Sequence, residues 1–313
     1  MFINIISCPL CEAGVENSSF KFSVSEEGHE IPILECVVCG LNYKSNHQAN
    51  HGLSSIYNSN YSHFSNDKSL TGYKGRILRI PGSATKGLRH LDYGCGNGSF
   101  VEAALSNGLD SVGADPFLPD TTHIRFLKNR FYKIDAADEE ILSLGKFDVI
   151  TLWAVIEHLP RLRPTILNLS KMLKPGGKLI FNSPYGKSLI SRFNGRHWKM
   201  ATLPEHLHFQ TIDSLRYISS LTGLTLKSVR NCGVPFPLGA NSNNINDSVG
   251  GRRNIGSGDN AIPLNTISKI LIFLRQIALG GGGNNLMAKF IRKLIHLAHI
   301  GDHLEAVFQR PRI

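Results

Sequence analysis

The stretch that most constrains this chain is His90–Phe100, HLDYGCGNGSF. An apolar run ends in Asp92, glycines follow at alternate positions (Gly94, Gly96, Gly98), and a helix-compatible segment begins at Phe100. Glycines at a strand-to-helix turn let the backbone approach a ligand, because no Cβ stands in the way. The helix that follows offers free N–H groups and a positive dipole end. Such a turn works inside a parallel sheet, and the rest of the chain predicts one. Strands are expected at Leu88–Tyr93, Ser111–Ala114, Arg130–Ile134, Phe147–Trp153 and Lys178–Asn182. Helices are expected between them at Phe100–Asn107, Thr121–Lys128 and Arg163–Leu173, the last closed by a Lys174-Pro175-Gly176-Gly177 stop and turn. Ile212–Leu221 reads as a further helix, Thr225–Asn231 as a strand and His303–Gln309 as a closing strand. The fold class is therefore α/β: a Rossmann-like, doubly wound, mostly parallel sheet.

Ahead of this alternation stand two knuckles, Cys8-Pro9-Leu10-Cys11 and Cys36-Val37-Val38-Cys39. Each places two thiolates on a tight turn, and together they can close a tetrahedral Zn²⁺ site. With four cysteine ligands no coordination position stays open, so the ion is expected to be structural. Phe20, Phe22 and Val24, then Ile31 and Ile33, alternate as short ribbon strands would. The N-terminus, MFINIISCPLC, lacks a basic region and a long apolar run. Six cysteines in such a chain favour a reduced, cytoplasmic setting and metal binding over disulfides. No window is long and apolar enough for a transmembrane span. The net charge of +10 suits an anionic partner: nucleic acid, a sugar nucleotide, a lipid-linked phosphate or an anionic membrane surface.

Two carboxylates give the glycine turn its context. Asp115 ends the second strand, where a carboxylate would accept hydrogen bonds from both ribose hydroxyls. Asp135 follows the third strand, suited to an exocyclic amino group. The spacing is GxGxG and not the dinucleotide GxGxxG, with no basic residue in the turn for a pyrophosphate. A nucleoside with an amino-acid tail fits better than a dinucleotide.

These residues resemble the class I S-adenosylmethionine-dependent methyltransferases. The resemblance is carried by LDYGCGNGSF, VGADPF, KIDAAD, FDVITLWAVIEHL, MLKPGGKLIFNSP and PEHLHF, from about Leu88 to Gly233. With the cysteine knuckles in front, the chain resembles methyltransferases of bacterial sugar and polysaccharide pathways, including zinc-containing sugar C-methyltransferases. The resemblance implies that Asp92 and Gly94, Gly96 and Gly98 hold the methionine end of the cofactor. It implies that Asp115 binds the ribose, Asp135 with Ala136 the adenine, and that Trp153 lines the pocket. Relatives often carry Asp where this chain has Ala154. The segment 239–300 is not needed by the common core.

The resulting organisation is a zinc ribbon at 1–45, an aromatic linker or lid at 46–80 (Tyr57, Tyr61, Phe64, Tyr73) and a cofactor-binding core at 81–238. A C-terminal region at 239–313 comprises an Asn/Gly/Ser-rich loop, amphipathic segments at Leu264–Leu279 and Leu286–His299, and the closing strand. The amphipathic pair reads as a helical insertion on the domain surface or a dimer face. Alternatively, it makes a peripheral membrane contact through 264–299. Nothing in the sequence fixes an oligomeric state.

Methyl transfer needs alignment of nucleophile, methyl and sulfur, and a base only where the acceptor must lose a proton. Two places offer one: Glu157-His158 after the fourth strand, and Pro204-Glu205-His206-Leu207-His208 after the fifth. By resemblance, Glu205 and His206 are the catalytic candidates, with His206 as general base, while Tyr185, His197 and Trp198 are candidates for the acceptor pocket. The expected acceptor is a sugar, nucleotide-activated, lipid-linked or in a glycan. An RNA methyltransferase is the second reading, and a non-enzymatic zinc-ribbon interaction protein the third. Against RNA, residues 8–39 hold Lys21 alone among Lys and Arg, beside Glu12, Glu16, Glu26, Glu27, Glu30 and Glu35.

Overall fold

Strands β6 (Arg89–Tyr93), β7 (Asp110–Ala114), β8 (Phe131–Tyr132), β9 (Phe147–Trp153) and β10 (Leu173–Pro184) pair in parallel. The computed structural model describes residues 2–48, 76–77, 80, 86–118, 127–232 and 301–312. With β12 (Thr225–Cys232) and β13 (His303–Gln309) these strands form a seven-stranded sheet in the order β8-β7-β6-β9-β10-β13-β12, in which β13 runs antiparallel. The chain starts in the middle, builds outward to β8, then returns to β9 beside β6. That reversal leaves a crevice beyond the carboxyl ends of β6 and β9, where open α/β sheets bind ligands.

The sheet is buried on both faces, which is why β9 reads as the nearly continuous apolar run FDVITLW. On one face Leu91, Ile150, Leu152 and Phe181 pack beneath helix α2 (Leu162–Lys171), which buries Leu162, Ile166 and Leu169 at helical spacing. On the other, Val149 and Ile180 meet Phe100, Ala103 and Ala104 of helix α1 (Ser99–Ser106), with Ile77 and Ile80 alongside. Two short segments follow β10: helix α3 (Leu189–Asn194) and strand β11 (His208–Phe209). Helix α4 (Ile212–Thr222) begins in a Thr211/Ser214 capping box and ends at Gly223, φ 70°.

The expected strands are found, as are the helices expected at Phe100–Asn107, Arg163–Leu173 and Ile212–Leu221, with two local differences. Strand β8 is only Phe131–Tyr132. Lys174–Gly177 is not a free turn: helix α2 stops at Lys171, Leu173 already pairs with Phe147, and the Pro-Gly-Gly run forms a bulge before Lys178 resumes the ladder. Of the expected helix 121–128, residues 121–126 lie outside the described residues, as do Tyr57, Tyr61, Phe64, Tyr73, the loop 239–262 and the amphipathic segments within 264–299. Among the described residues no helix is long and apolar enough to cross a membrane.

The N-terminal region builds β1 (Phe2–Asn4), the hairpin β2 (Ser18–Glu26) and β3 (His29–Cys36), then β4 (Asn42–Lys44) and β5 (Asn46–Gln48). A bulge between Phe20 and Phe22 breaks the apolar alternation, so Phe20 faces solvent while Val24 is buried. The four-stranded sheet here has the order β11-β4-β3-β2, and its edge strand β11 comes from beyond β10 in the sequence. His208 pairs with Tyr43 and Phe209 with Asn42. Cys8, Leu10, Cys36, Cys39, Leu41 and Tyr43 belong to the same contiguous core as Leu91, Ile150 and Phe181. The two sheets therefore share one interior.

That sharing makes a prediction. Leu41→Ala removes a side chain with no solvent exposure and should cost about 2–5 kcal/mol. Calorimetry should show the entire melting transition moving down as one. A separate low-temperature transition for the cysteine region, with the main one unmoved, would refute the shared core.

Candidate active site

Asp92, Gly94, Gly96 and Gly98 occupy the carboxyl end of β6, as the sequence places them. The three glycines have φ of 74°, 53° and 81°, left-handed values that side chains rarely adopt. At Gly94 space also forbids a side chain, since a Cβ would lie 2.4 Å from Val155 Cγ2. The glycine loop thus packs directly on the turn that follows β9.

Asp92 is buried and its Oδ1 accepts from Thr151 Oγ1 at 2.6 Å. Burial pushes its pKa up to about 7, partly opposed by the Thr151 hydroxyl and by Arg76. Asp115 Oδ2 accepts from Gly96 N–H at 3.0 Å and Oδ1 from Phe117 N–H at 2.8 Å. Burial raises its pKa as well. Each of these oxygens keeps a lone pair for another donor. Asp135 Oδ1 accepts from Ala137 N–H at 2.8 Å and from the Tyr93 hydroxyl at 3.3 Å. The N–H of Ala136 donates to that same hydroxyl at 3.0 Å. Trp153 is buried edge-on to Phe100, with the Arg76 guanidinium 5.5 Å from its ring centre. Its Nε1, and Ser99 Oγ at the start of α1, are buried without a hydrogen-bond partner among the described residues. Positive-φ glycines, orphaned donors and carboxylates with spare lone pairs suit a hydroxyl-rich, cationic ligand.

The two places where a base was expected form a single cluster. After β9 the chain makes a short turn, Ile156–His158, and the segment Leu203–His208 lies against it. Leu207 N–H donates to Glu157 O at 2.9 Å, His158 Nδ1 to Glu205 O at 2.9 Å, and His208 Nε2 to Leu159 O at 3.2 Å. The rings of His158 and His206 meet edge to face at 4.8 Å. His206 Nδ1 donates to Met200 O at 2.8 Å, which leaves Nε2 as the basic nitrogen. Burial, together with the positive potential from His158 and Lys44, holds its pKa well below the ordinary histidine value. Glu157 is pushed up to about 7 by burial. Glu157 Oε2 and Glu205 Oε2 are buried without hydrogen-bond partners among the described residues.

Donor atoms of Glu157, His158 and His206 lie within 4.8 Å of one another. The His158 Nε2 to Glu157 Oε1 separation is 4.0 Å, wider than the roughly 3.3 Å between donors bound to one tetrahedral ion. The arrangement suits holding and moving a proton. Cys8, Cys11, Cys36 and Cys39 are different. Their Sγ atoms also lie within 4.8 Å of one another. The Cys8–Cys39 and Cys11–Cys36 separations are 3.5 and 3.4 Å. Four thiolates around Zn²⁺ at about 2.3 Å would stand roughly 3.8 Å apart, so this set fits that ion.

Some expected neighbours lie elsewhere. Trp198 is packed against Phe209 at 4.9 Å, beside Val24, Ile31 and Ile33, and His197 faces solvent. Tyr185 is buried in the main core. Ala154, where relatives often have Asp, is exposed with φ 56°, its N–H held by Asn182 Oδ1 at 2.8 Å. Sequence reasoning missed a buried relay across three strands. His90 joins Ser111 Oγ (2.8 Å) to Thr151 Oγ1 (2.9 Å), and Thr151 in turn donates to Asp92. Burial pushes His90 down to about 3, so the imidazole is neutral. The signal was visible as a polar residue inside each of three apolar strands. Arg161 was also missed; it bonds Asp138 at 2.6 Å and lies 3.9 Å from Asp135.

A family model described as a methyltransferase domain matches residues 67–229. The ubiquinone biosynthesis O-methyltransferase of Coxiella burnetii is 34% identical over 133 residues, covering 39% of this chain and 56% of that protein. A protein of the same name from Cereibacter sphaeroides is 29% identical over 150 residues, covering 44% and 61%. The match therefore spans less than two thirds of these relatives' own length. Among solved structures, a SAM-dependent methyltransferase from Archaeoglobus fulgidus overlays with a TM-score of 0.47 at 17% identity, over 84% of this chain and 100% of the other. The family model spans the glycine loop, Asp115, Asp135 and the Glu157–His158 and Glu205–His206 cluster, and the chain belongs to the methyltransferase-domain family.

Proposed function

We propose that the protein transfers a methyl group from S-adenosylmethionine to a sugar, nucleotide-activated, lipid-linked or within a glycan. The observation that carries this reading is the convergence of Glu157–His158 with Glu205–His206 on the turn that packs against Gly94. The cluster thus adjoins the glycine loop through Val155, and would serve as the proton-handling side of the nucleoside crevice. When bound, the cofactor supplies an electrophilic sulfonium methyl. Asp92 and the loop Gly94–Gly98 would hold its amino-acid end, Asp115 its ribose hydroxyls, and Asp135 and Ala136 its adenine, beside Trp153. The acceptor's proton would pass to His206 Nε2, which is neutral at physiological pH because burial holds its pKa low. Glu205, with one buried oxygen unpaired, would take a hydrogen bond from the acceptor. The cysteine knuckles would bind Zn²⁺ as a structural clip that shapes the ribbon. The sugar acceptor rests on the ribbon and PEHLHF together.

A hydroxyl acceptor like that of the ubiquinone biosynthesis O-methyltransferases is the second reading, favoured by their names. Transfer of labelled methyl to a panel of sugar nucleotides and polyprenylated phenols separates the two. Labelling of the phenols alone would overturn the sugar assignment. On the labelled acceptor, His206→Ala should lower kcat by about 10²–10⁴-fold. Full turnover at saturating substrate would remove His206 as the base.

Cofactor binding should depend on pH through Asp92. Its folded pKa, about 7, lies above the ordinary 3.8, so the folded chain holds this proton more tightly than the unfolded one. Its contribution to stability is present at low pH and declines as pH rises through that interval. An ammonium at the site reverses the preference. S-adenosylhomocysteine should therefore bind more weakly as pH falls below about 7, with proton release on binding, and Asp92→Asn should flatten the dependence. Calorimetry in buffers of different ionisation enthalpy measures this, and equal proton release in both proteins would exclude Asp92. Elemental analysis tests the clip. One Zn²⁺ per chain is expected, lost in Cys8→Ser/Cys11→Ser, and a metal-free native chain would overturn it.

A further inference from the structure

Lys44 is an unusual residue to find at the inner end of a small β-sheet. It ends β4, its side chain has no solvent exposure, and it forms an ion pair with Glu26 of β2, itself buried. Burying two charges is costly, and well-packed apolar residues often serve as well in a purely structural role. The pair invites a question about what the ammonium touches.

On one side Lys44 pairs with Ile33 of β3, and on the other two of its hydrogen bonds lead to the catalytic loop. Lys44 Nζ donates to Leu203 O at 2.8 Å, and Lys44 N–H donates to Leu207 O at 3.0 Å. A single residue thus holds both ends of the five-residue segment Leu203-Pro204-Glu205-His206-Leu207. The β4–β11 pairing, Tyr43 with His208, continues the same seam. From the opposite side the loop is held by Glu157 O and His158 Nδ1.

We propose that Lys44 is the positioning residue of the catalytic loop: from the cysteine-bearing sheet it clasps Leu203 and Leu207 and so fixes where Glu205 and His206 stand. This rests on the reading of Glu205 and His206 as the proton-handling pair. The clasp also has an electrostatic side. The groups facing His206 are His158, Lys44 and His303, which oppose its protonation, and the Met200 carbonyl, which favours it. Glu157 and Glu205 complete the set, and Glu205 in turn favours the charged form of Lys44. Lys44 therefore adds to the burial that keeps His206 neutral, and supplies Glu205 with a cation. Glu26 holds the ammonium from behind, so that the clasp is rigid. In this arrangement the ribbon is part of the active-site wall.

The test uses the full-length, zinc-loaded chain. Lys44→Met/Glu26→Leu removes both members of the ion pair together, so that Glu26 is not left buried without its partner. Lys44→Arg keeps the charge. Histidine side-chain NMR should show the His206 titration midpoint rising by at least one pH unit, a tenfold change, in the double variant and staying near wild type in Lys44→Arg. Amide exchange at Leu207 should quicken at least tenfold in the double variant, with S-adenosylhomocysteine affinity within about twofold of wild type. An unmoved midpoint and unchanged exchange would show that the pair only fills space, and would overturn the proposal. A wild-type chain that fails to bind S-adenosylhomocysteine would instead overturn the methyltransferase reading, while the NMR and exchange measurements would still judge the clasp. If the double variant does not fold, Lys44→Gln carries the same two measurements: a raised midpoint with faster exchange supports the clasp, and neither change refutes it.

Discussion

Two residues of β11 pairing with two of β4 tie this molecule together. Without that seam the cysteine-bearing hairpin would be a small sheet with little interior of its own, and the Leu203–Leu207 segment would be a loop anchored on one side. The seam gives the hairpin a share of the main core through Leu41 and Tyr43. Other contacts reinforce it. Arg163 of α2 donates to Leu10 O at 3.1 Å and pairs with Glu12. Thr211, the cap of α4, donates to Gly40 O at 2.8 Å. Lys187 bridges Glu35 and Asp213. Both cysteine knuckles therefore rest on the starts of helices from the large sheet.

Much of the large sheet was legible because its determinants are local. An apolar run bounded by a turn reads as a strand, and LDYGCGNG carries its own φ requirements. The Pro-Gly-Gly bulge was not legible as such. Local chemistry says turn, and only the parallel pairing of Leu173 with Phe147 on one side and Lys178 with Val149 on the other makes it part of a ladder. The same distinction explains the site. Asp92 lies at the end of β6, and Asp115 and Asp135 follow β7 and β8, positions that local strand signals locate. That Glu157–His158 and Glu205–His206 touch depends on β11 crossing to the other sheet, a long-range pairing of two residues with no periodic signal. Trp198 was misleading for a related reason. An aromatic residue near a mouth suggests a pocket wall, but its partner Phe209 is on the crossing strand, and it belongs to the apolar cluster on the small sheet with Val24, Ile31 and Ile33.

The Ser111–His90–Thr151–Asp92 relay shows why polar residues in apolar strands need an account. Each member satisfies a neighbour that would otherwise be a buried orphan, at a cost that burial makes high. The effect is to fix the Thr151 hydroxyl as a donor toward Asp92, and so to fix the orientation of that carboxyl at the foot of the glycine loop. A neutral His90 is required, since a charged ring would need its own counter-ion.

Taken together, the pKa directions around the crevice share one cause. Burial raises Asp92, Asp115 and Glu157 and lowers His90, His206 and His208. Each group is pushed toward its neutral form, and for Asp92 the described positive charge that relieves this is Arg76. A ligand bearing a pyrophosphate would add negative charge next to carboxyls that already resist ionising. A ligand bearing an ammonium and a sulfonium supplies the charge they lack, and each ionisation it drives strengthens its own binding. The electrostatics thus favour a cationic nucleoside independently of the glycine spacing, and the two lines of reasoning meet at Asp92.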